Sequence, residues 1–251
     1  MARKFTGVTD ALLTYYTIMW PVVSYSFWAL RNGTGGGGFG EVWKKGSGAN
    51  LNDNLFFNPT GTVMRYNRGW STISGGWTFP APSQDVWHHF LLSYNSSSTS
   101  PPEVWVDGVA QTVSTVTTPS GSANFTTDAY FIGNEFGVDD NWNGELEEFA
   151  IWRHQGTGQE ANFLRTRRSA AFLRNGLMSL VPISGGTNAA AEKDLIFNKA
   201  VIVNGTGSFG TRGLRLVTPA PRRRLKVGFN VVRNPFFPNT SFQRTYRVVA
   251  Y

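Results

Sequence analysis

The chain has 251 residues, a hydrophobic fraction of 41% with nine Trp and 19 Phe, and a net charge of +7. This length and apolar content suit one large domain with a sizeable core, together with shorter appendages. The chain contains no Cys, which excludes a disulfide framework and a thiol nucleophile.

Short runs of alternating apolar and polar residues fill the first 155 positions, and Gly, Asp, Asn or Pro ends each run. This period-two pattern predicts successive antiparallel strands in a sandwich. The clearest runs are WHHFLLSY at 87–94, EVWVDGV at 103–109, FIGN at 131–134 and WNGELEEFAIW at 142–152.

The pattern changes after these strands. Residues 159–175 mix apolar positions with Arg and end at Asn175-Gly176, which predicts a helix that stops where Gly accepts a left-handed backbone. Residues 177–217 return to short strands. Because proline fixes an extended backbone, the Pro-Ala-Pro at 219–221 predicts a boundary between a domain at 1–218 and an extended arm at 219–251.

Charge is divided unevenly between the two parts of the chain. Residues 1–194 contain 13 Lys and Arg and all 16 Asp and Glu, whereas residues 195–251 contain ten Lys and Arg and no acid. A mildly acidic body with a wholly basic C-terminal region indicates an interaction surface in that region.

The order of these motifs resembles the laminin G-like subgroup of the concanavalin A-like lectin and glucanase superfamily, over roughly the first 175 residues. The resemblance implies an all-β fold, a two-sheet antiparallel sandwich of the jelly-roll kind with one short helix. Because this fold hosts sugar binding, glucan hydrolysis and protein docking, it does not decide the function. A looser resemblance of 177–217 to laminin G-like proteins of bacteriophage genomes favours a virion protein.

No catalytic residue is predicted. The superfamily's glucanases carry alternating acids in the pattern E-x-D-x-E, and here Glu145 and Glu147 have the first spacing but Phe149 takes the third place. The resemblance instead implies that Glu147 and Glu148 are a structural acidic pair. His88 and His89 are adjacent in a predicted strand, so they face opposite sides and cannot share a metal ion.

An oxygen-rich loop is the candidate metal site. Asp139, Asp140 and Asn141 offer the hard oxygen ligands that calcium prefers, and laminin G-like domains often hold calcium. Such residues also form ordinary turns, so both interpretations stay open, and no other cofactor is expected.

The tryptophans divide into two predicted groups. Four fall at core positions of the family and are predicted to pack inside: Trp28, Trp87, Trp105 and Trp152. Trp43, Trp70 and Trp77 lie in glycine-rich, less patterned segments. Exposed aromatic faces on loops suit a glycan platform, although they also suit protein contact or simple burial.

The basic arm is interpreted as a docking segment that orders on an acidic protein surface, through charge and by adding a strand to a sheet edge. Nucleic-acid binding through phosphate neutralisation and a disordered tail are the alternatives. The predicted docking residues are Arg222, Arg223, Arg224, Lys226, Phe229, Phe236 and Phe237.

The leading hypothesis is a non-enzymatic bacteriophage virion protein, a capsid decoration or cement protein docked on the major capsid or another virion protein. It is expected to be a homo-oligomer or to be present in many copies in an assembly. The alternative is a carbohydrate-binding module, or a tail or fibre component that recognises host surface glycan. No signal peptide and no membrane-spanning run is evident. We therefore expect synthesis in the host cytoplasm, location in the virion and no membrane partner.

Overall fold

The computed structural model describes residues 2–5, 11–14, 18–46, 53–58, 60–125, 127–134, 140–166, 168–183, 193–197, 199–204 and 208–209. All of these belong to one unit of the chain, Met1–Thr218. The predicted arm lies outside the described residues and stays a prediction, as do its docking residues Arg222, Arg223, Arg224, Lys226, Phe229, Phe236 and Phe237.

Eighteen strands form within the described ranges, in the segments where alternating patterns dominate. In chain order they are β1 (Arg3–Phe5), β2 (Ala11–Leu13), β3 (Val22–Arg31), β4 (Gly40–Lys45), β5 (Asp53–Phe57), β6 (Val63–Arg68), β7 (Gly75–Pro80), β8 (Trp87–Asn95), β9 (Glu103–Val106), β10 (Val109–Ala110), β11 (Ser114–Thr117), β12 (Tyr130–Ile132), β13 (Gly144–Trp152), β14 (Leu177–Val181), β15 (Lys193–Asp194), β16 (Lys199–Ala200), β17 (Ile202–Asn204) and β18 (Ser208–Phe209).

Two antiparallel sheets face each other, which confirms the predicted all-β sandwich. Sheet A has the order β10-β9-β8-β3-β13-β1-β18, with β14 also paired to β13, and sheet B has the order β11-β7-β6-β5-β4-β12-β2-β17. β15 and β16 form a separate two-stranded ribbon. No helix among the described residues is long and apolar enough to cross a bilayer.

A β-bulge changes which residues of β13 face the core. Glu147 opposes Trp28 and Ala150 opposes Ser26, so two residues of β13 lie opposite one residue of β3. Glu148 takes the left-handed backbone conformation, with φ of 49°. The extra residue moves Phe149 into the intersheet core beside Leu146, whereas strict alternation would place Glu148 there.

Aromatic side chains dominate the core between the sheets. Tyr25 and Trp43 contact each other with ring centroids 4.3 Å apart, and Phe27 stacks on Phe90 at 4.8 Å. A second apolar cluster covers the outer face of sheet A, where Leu91 and other sheet residues pack against a short helix. Burial of these large rings supplies much of the favourable free energy of folding.

The predicted helix at 159–175 is wrong in its extent. Helix α1 covers only Gly158–Leu164, and a separate 3₁₀ turn covers Ala170–Phe172. Ser169 between them has an extended backbone, and its hydroxyl donates to the buried carboxylate of Glu148 while accepting from the amide of Ala171. This side-chain bonding starts a new turn and prevents one continuous helix.

Candidate functional site

The predicted glycan platform is not formed by the three tryptophans chosen for it. Trp43 and Trp77 are fully buried, and only 9% of the surface of Trp70 is exposed. Trp43 and Trp77 lie in the intersheet core. A sugar cannot stack on an indole that has no exposed face, so the predicted exposure of these residues is wrong.

Glycines near Trp77 have a packing role that explains this error. A Cβ atom added to Gly75 would lie 2.2 Å from the Trp77 ring, which no real side chain could tolerate. The missing side chain therefore lets the indole pack against the backbone of its own strand. The glycine-rich flank is evidence of a buried ring here and not of an exposed loop.

The side chains of the two adjacent histidines contact different residues. His88 contacts the Asp107 carboxylate through Nδ1 at 2.6 Å and the Ser83 hydroxyl through Nε2 at 2.9 Å. His89 is buried, its Nε2 lies 2.9 Å from the Ser26 hydroxyl, and burial lowers its pKa to about 3. His89 is therefore neutral at ordinary pH.

The three acids of β13 are buried within the fold. Glu145 and Glu147 are 3% and 1% exposed. The carboxylate of Glu148 accepts hydrogen bonds from the Ser169 hydroxyl and the Ala170 amide, and burial raises its pKa to about 7. These contacts agree with a structural acidic pair and tie β13 to the chain that follows the helix.

The predicted calcium loop is only partly described, because Asp139 lies outside the described residues. Asp140 accepts the backbone amide of Glu41 through its carbonyl, and the Asn141 side chain donates to the carbonyl of Trp142. Over the described ranges, no three or more His, Cys, Asp or Glu converge on a metal-binding position. Calcium binding by Asp139, Asp140 and Asn141 stays a prediction.

A polar row crosses the outer face of sheet B. The Asn54 amide donates to Glu41, the Asn67 amide donates to Asn54, and Arg65 donates to Asn67, over 2.8 to 3.1 Å. Glu41 and Asn54 are only 4% and 5% exposed. Because these groups bond to each other and the inner members are buried, the row holds neighbouring strands together and offers little to a ligand.

A shallow cleft with a volume of about 460 Å³ lies beside helix α1, and we call it the helix cleft. Its apolar side chains are Phe163 and Leu173. Its polar residues are His154, Gln155, Thr157, Gln159, Glu160 and Asn175.

Hydrogen bonds fix the chain segment that forms one side of the helix cleft. Ser24 donates to the carbonyl of His154 at 2.6 Å, and the amide of Gly156 donates to the Ser24 and Ser93 hydroxyls at 2.8 and 3.0 Å. The indole of Trp152 donates to the carbonyl of Leu173 at 2.8 Å. Sheet A therefore holds this side of the cleft in place.

The Glu160 carboxylate in the helix cleft already has hydrogen-bond partners within the protein. Thr157 and Glu160 form a capping box at the start of α1, in which Glu160 accepts the Thr157 amide at 2.9 Å. The other oxygen of Glu160 lies 3.0 Å from Nε2 of His154. One carboxylate oxygen thus caps the helix start and the other contacts His154, so Glu160 is a poor candidate for a general acid or base.

The remaining polar groups of the helix cleft are available to a ligand. Gln155, Gln159 and Asn175 are exposed, and their side chains make no hydrogen bond to another described residue. Amides can donate and accept, and the half-buried ring of Phe163 adds an aromatic surface. Sequence reasoning missed this site because its residues come from the segment before α1, from α1 itself and from the segment after the 3₁₀ turn, and share no motif.

Comparison with known proteins identifies the fold. A laminin G family model, described as the concanavalin A-like lectin/glucanases superfamily, matches residues 22–162. No curated protein sequence matches the chain. A solved candidate carbohydrate-binding protein from Bacteroides ovatus has a TM-score of 0.61 and 14% identity, over 84% of this chain and 60% of that one.

A heptameric SAP-like pentraxin from Limulus polyphemus has a TM-score of 0.52 and 11% identity, over 84% of this chain and 94% of that one. At these identities the two likenesses establish the fold alone. This chain spans 60% of the length of the Bacteroides protein.

Proposed function

We propose that this chain, which belongs to the concanavalin A-like lectin/glucanases superfamily, is a non-enzymatic carbohydrate-binding module that holds its ligand in the helix cleft. The observation that carries the proposal is the composition of this cleft, where exposed amides surround a half-buried phenyl ring. Polar groups that fix orientation around an aromatic surface are typical of small-molecule and sugar sites.

Two further observations support a role in binding and not in catalysis. Both carboxylate oxygens of Glu160 are engaged, one with the amide of Thr157 and the other with the ring of His154. The third acid of the glucanase pattern is replaced by Phe149, which is fully buried in the core. A glycosidase needs two carboxyl groups placed on either side of the scissile bond, and the helix cleft offers one engaged carboxylate.

A glycan array with purified protein tests the proposal. We expect at least one glycan to bind, and the double variant Gln155→Ala and Gln159→Ala to weaken that binding about tenfold, which corresponds to about 1.4 kcal/mol. Gln84→Ala is the matched control, because Gln84 is an exposed amide in a turn outside the cleft. Binding of no glycan, or equal binding by the double variant, contradicts the proposal.

A structural role in a bacteriophage particle is the second candidate, and its support comes from the sequence alone. The ten basic residues and absent acids of 195–251 suit docking on an acidic virion protein. The copy number in purified particles tests it by quantitative mass spectrometry. A count close to that of the major shell protein supports capsid decoration, a few copies support a tail or fibre component, and absence contradicts both.

A further inference from the structure

Three buried side chains of complementary chemistry lie close together on the outer face of sheet B. Lys44, Asn54 and Glu41 are only 6%, 5% and 4% exposed. Lys44 of β4 lies directly opposite Asn54 of β5. Directly opposite side chains of an antiparallel pair have Cβ atoms about 4.5–5.5 Å apart. The long side chain of Lys44 can therefore bring its amine to the side-chain amide of Asn54.

Strand alternation places Lys44 and Asn54 on the same face of the sheet. Trp43, which precedes Lys44, and Leu55, which follows Asn54, both lie in the intersheet core. Successive side chains of a strand point to opposite faces. Lys44 and Asn54 therefore both point away from the core.

A β-bulge brings Glu41 to this same face. The pairing of β4 with β5 shifts in register between Glu41 and Trp43, so β4 has one extra residue there. Glu41 thus shares the outer face with Lys44, although an odd number of positions separates them. Oε1 of Glu41 accepts a hydrogen bond from Nδ2 of Asn54 at 3.1 Å. The carboxylate contacts the nitrogen that would leave if the Asn54 amide were attacked.

Aromatic side chains flank the three polar residues. Phe56 lies opposite Glu41, and Phe131 of β12 lies opposite Lys44 on its other side. Phe56 is 9% exposed, and its ring contacts that of Phe39 with centroids 5.5 Å apart. Because removing an ammonium group from water costs free energy, a reaction that converts the buried amine into a neutral amide is favoured here.

We propose that Lys44 and Asn54 form an intramolecular amide cross-link, an isopeptide bond, with Glu41 as the proton carrier. The unprotonated Nζ of Lys44 attacks Cγ of Asn54, and a C–N bond forms. Glu41 accepts one proton from Nζ and delivers it to Nδ2, after which the Cγ–Nδ2 bond breaks and ammonia leaves. One amine and one amide give one new amide and ammonia, without an oxidant or reductant. The extra proton of a Lys44 ammonium leaves to solvent.

The fixed geometry of the strand pair supplies the acceleration that this reaction needs. Amides exchange with amines very slowly in water, but groups held in a reactive orientation behave as if their concentration were about 10⁵–10⁸ M. Exclusion of water from the site also limits competing hydrolysis. The product joins β4 to β5 by a covalent bond in addition to their backbone hydrogen bonds.

The intact mass of the purified full chain tests the proposal without any substitution. We expect a mass lower by one ammonia molecule than the mass calculated from the sequence, with or without Met1. Trypsin should release residues 32–45 still bound to residues 46–65, and fragment ions should place the bond between Lys44 and Asn54. The full calculated mass with separate peptides overturns the proposal, and so does an ammonia loss that maps to any other residue.

Single variants assign the role of each group. Lys44→Met and Asn54→Ala should have the full masses calculated from their sequences. Glu41→Gln should too, because it leaves both reacting groups in place but cannot carry the proton. Lys193→Met is the matched control at an exposed position of β15, and it should still lose ammonia.

The cross-link is wrong if Lys44→Met or Asn54→Ala still loses ammonia, and the role of Glu41 is wrong if Glu41→Gln does. Circular dichroism identifies the variants that fold as the unmodified protein does. If one of them fails to fold, the mass and peptides of the unmodified protein still decide whether the bond exists.

Discussion

Arg68 donates through Nη1 to Oδ2 of Asp53 over 3.0 Å, and both side chains are fully buried. The Tyr25 hydroxyl donates to the same carboxylate oxygen, and Nη2 of Arg68 donates to the carbonyl of Trp20 at 3.2 Å. These additional bonds offset part of the large cost of removing two charges from water. The pair joins β5 to the end of β6 inside a largely aromatic core.

Replacing one member of this pair should be far more damaging than replacing both. Arg68→Met leaves the Asp53 carboxylate buried without its counter-ion, so we expect the free energy of unfolding to fall by about 3–5 kcal/mol. Adding Asp53→Asn should recover part of that loss. Urea unfolding gives the values, with Arg174→Met at an exposed position outside the strands as the control. A loss below about 1 kcal/mol for Arg68→Met contradicts this prediction.

Glu148 should make stability depend on pH in a defined window. Burial raises its pKa from the ordinary value of 4.5 to about 7, so the folded protein holds the proton more tightly than the unfolded chain does. Its contribution is therefore fully present below pH 4.5 and is lost as the pH rises to about 7, by about 3 kcal/mol.

Glu148→Gln should remove this fall in stability between pH 4.5 and 7, because the amide keeps an acceptor for Ala170 but cannot ionise. Denaturant unfolding at several pH values measures the slope. Glu103→Gln, at an exposed position of β9, should leave the slope unchanged. The same slope in Glu148→Gln and in the unmodified protein would show that another group is responsible.

Gly176 follows Asn175 of the helix cleft and should not accept a side chain. Its φ is +71°, and an added Cβ would lie 2.8 Å from Nδ1 of His154. Gly176→Ala should cost about 1–3 kcal/mol of stability through backbone strain and displacement of His154. It should also weaken glycan binding, whereas Ala110→Gly on the exposed strand β10 should leave binding unchanged. Thermal unfolding measures the loss of stability, and the binding assay measures the loss of glycan affinity.

Trp77 should matter for stability and not for binding. Its ring stacks on Tyr66 with centroids 5.8 Å apart and is fully buried. Trp77→Phe should lower the free energy of unfolding by about 1–3 kcal/mol because it opens a cavity. Glycan affinity per folded molecule should stay the same. A loss of affinity without a matching loss of stability would contradict this prediction and show that Trp77 contributes to the ligand site.

Strand alternation was sufficient to predict the sandwich, but the exposure of individual tryptophans was not readable from it. Trp87 and Trp105, predicted as core residues, are only half-buried, whereas Trp43 and Trp77 are fully buried. The reason is that alternation places a residue on one face of a strand, but burial depends on what covers that face.

The bulge at Glu148 shows a second limit of the sequence. In the segment 145–152 the adjacent acids Glu147 and Glu148 interrupt the alternation, but the sequence does not show that this interruption is a bulge that shifts Phe149 inward. By contrast, the Thr157–Glu160 spacing of the capping box is a readable start signal for the helix. Asn175 joins the helix cleft only because a separate 3₁₀ turn brings the chain back.

The position of β13 in sheet A also limits when the strands beside it can pair. One edge of β13 pairs with β3, and the other is shared by β1 at the start of the chain and β14 more than 170 residues later. During synthesis β1 and β3 leave the ribosome long before β13 does. The edges that later pair with β13 are therefore without hydrogen-bond partners in the meantime. Such non-local pairing is intrinsically slow, and these early strands need protection from association until β13 emerges.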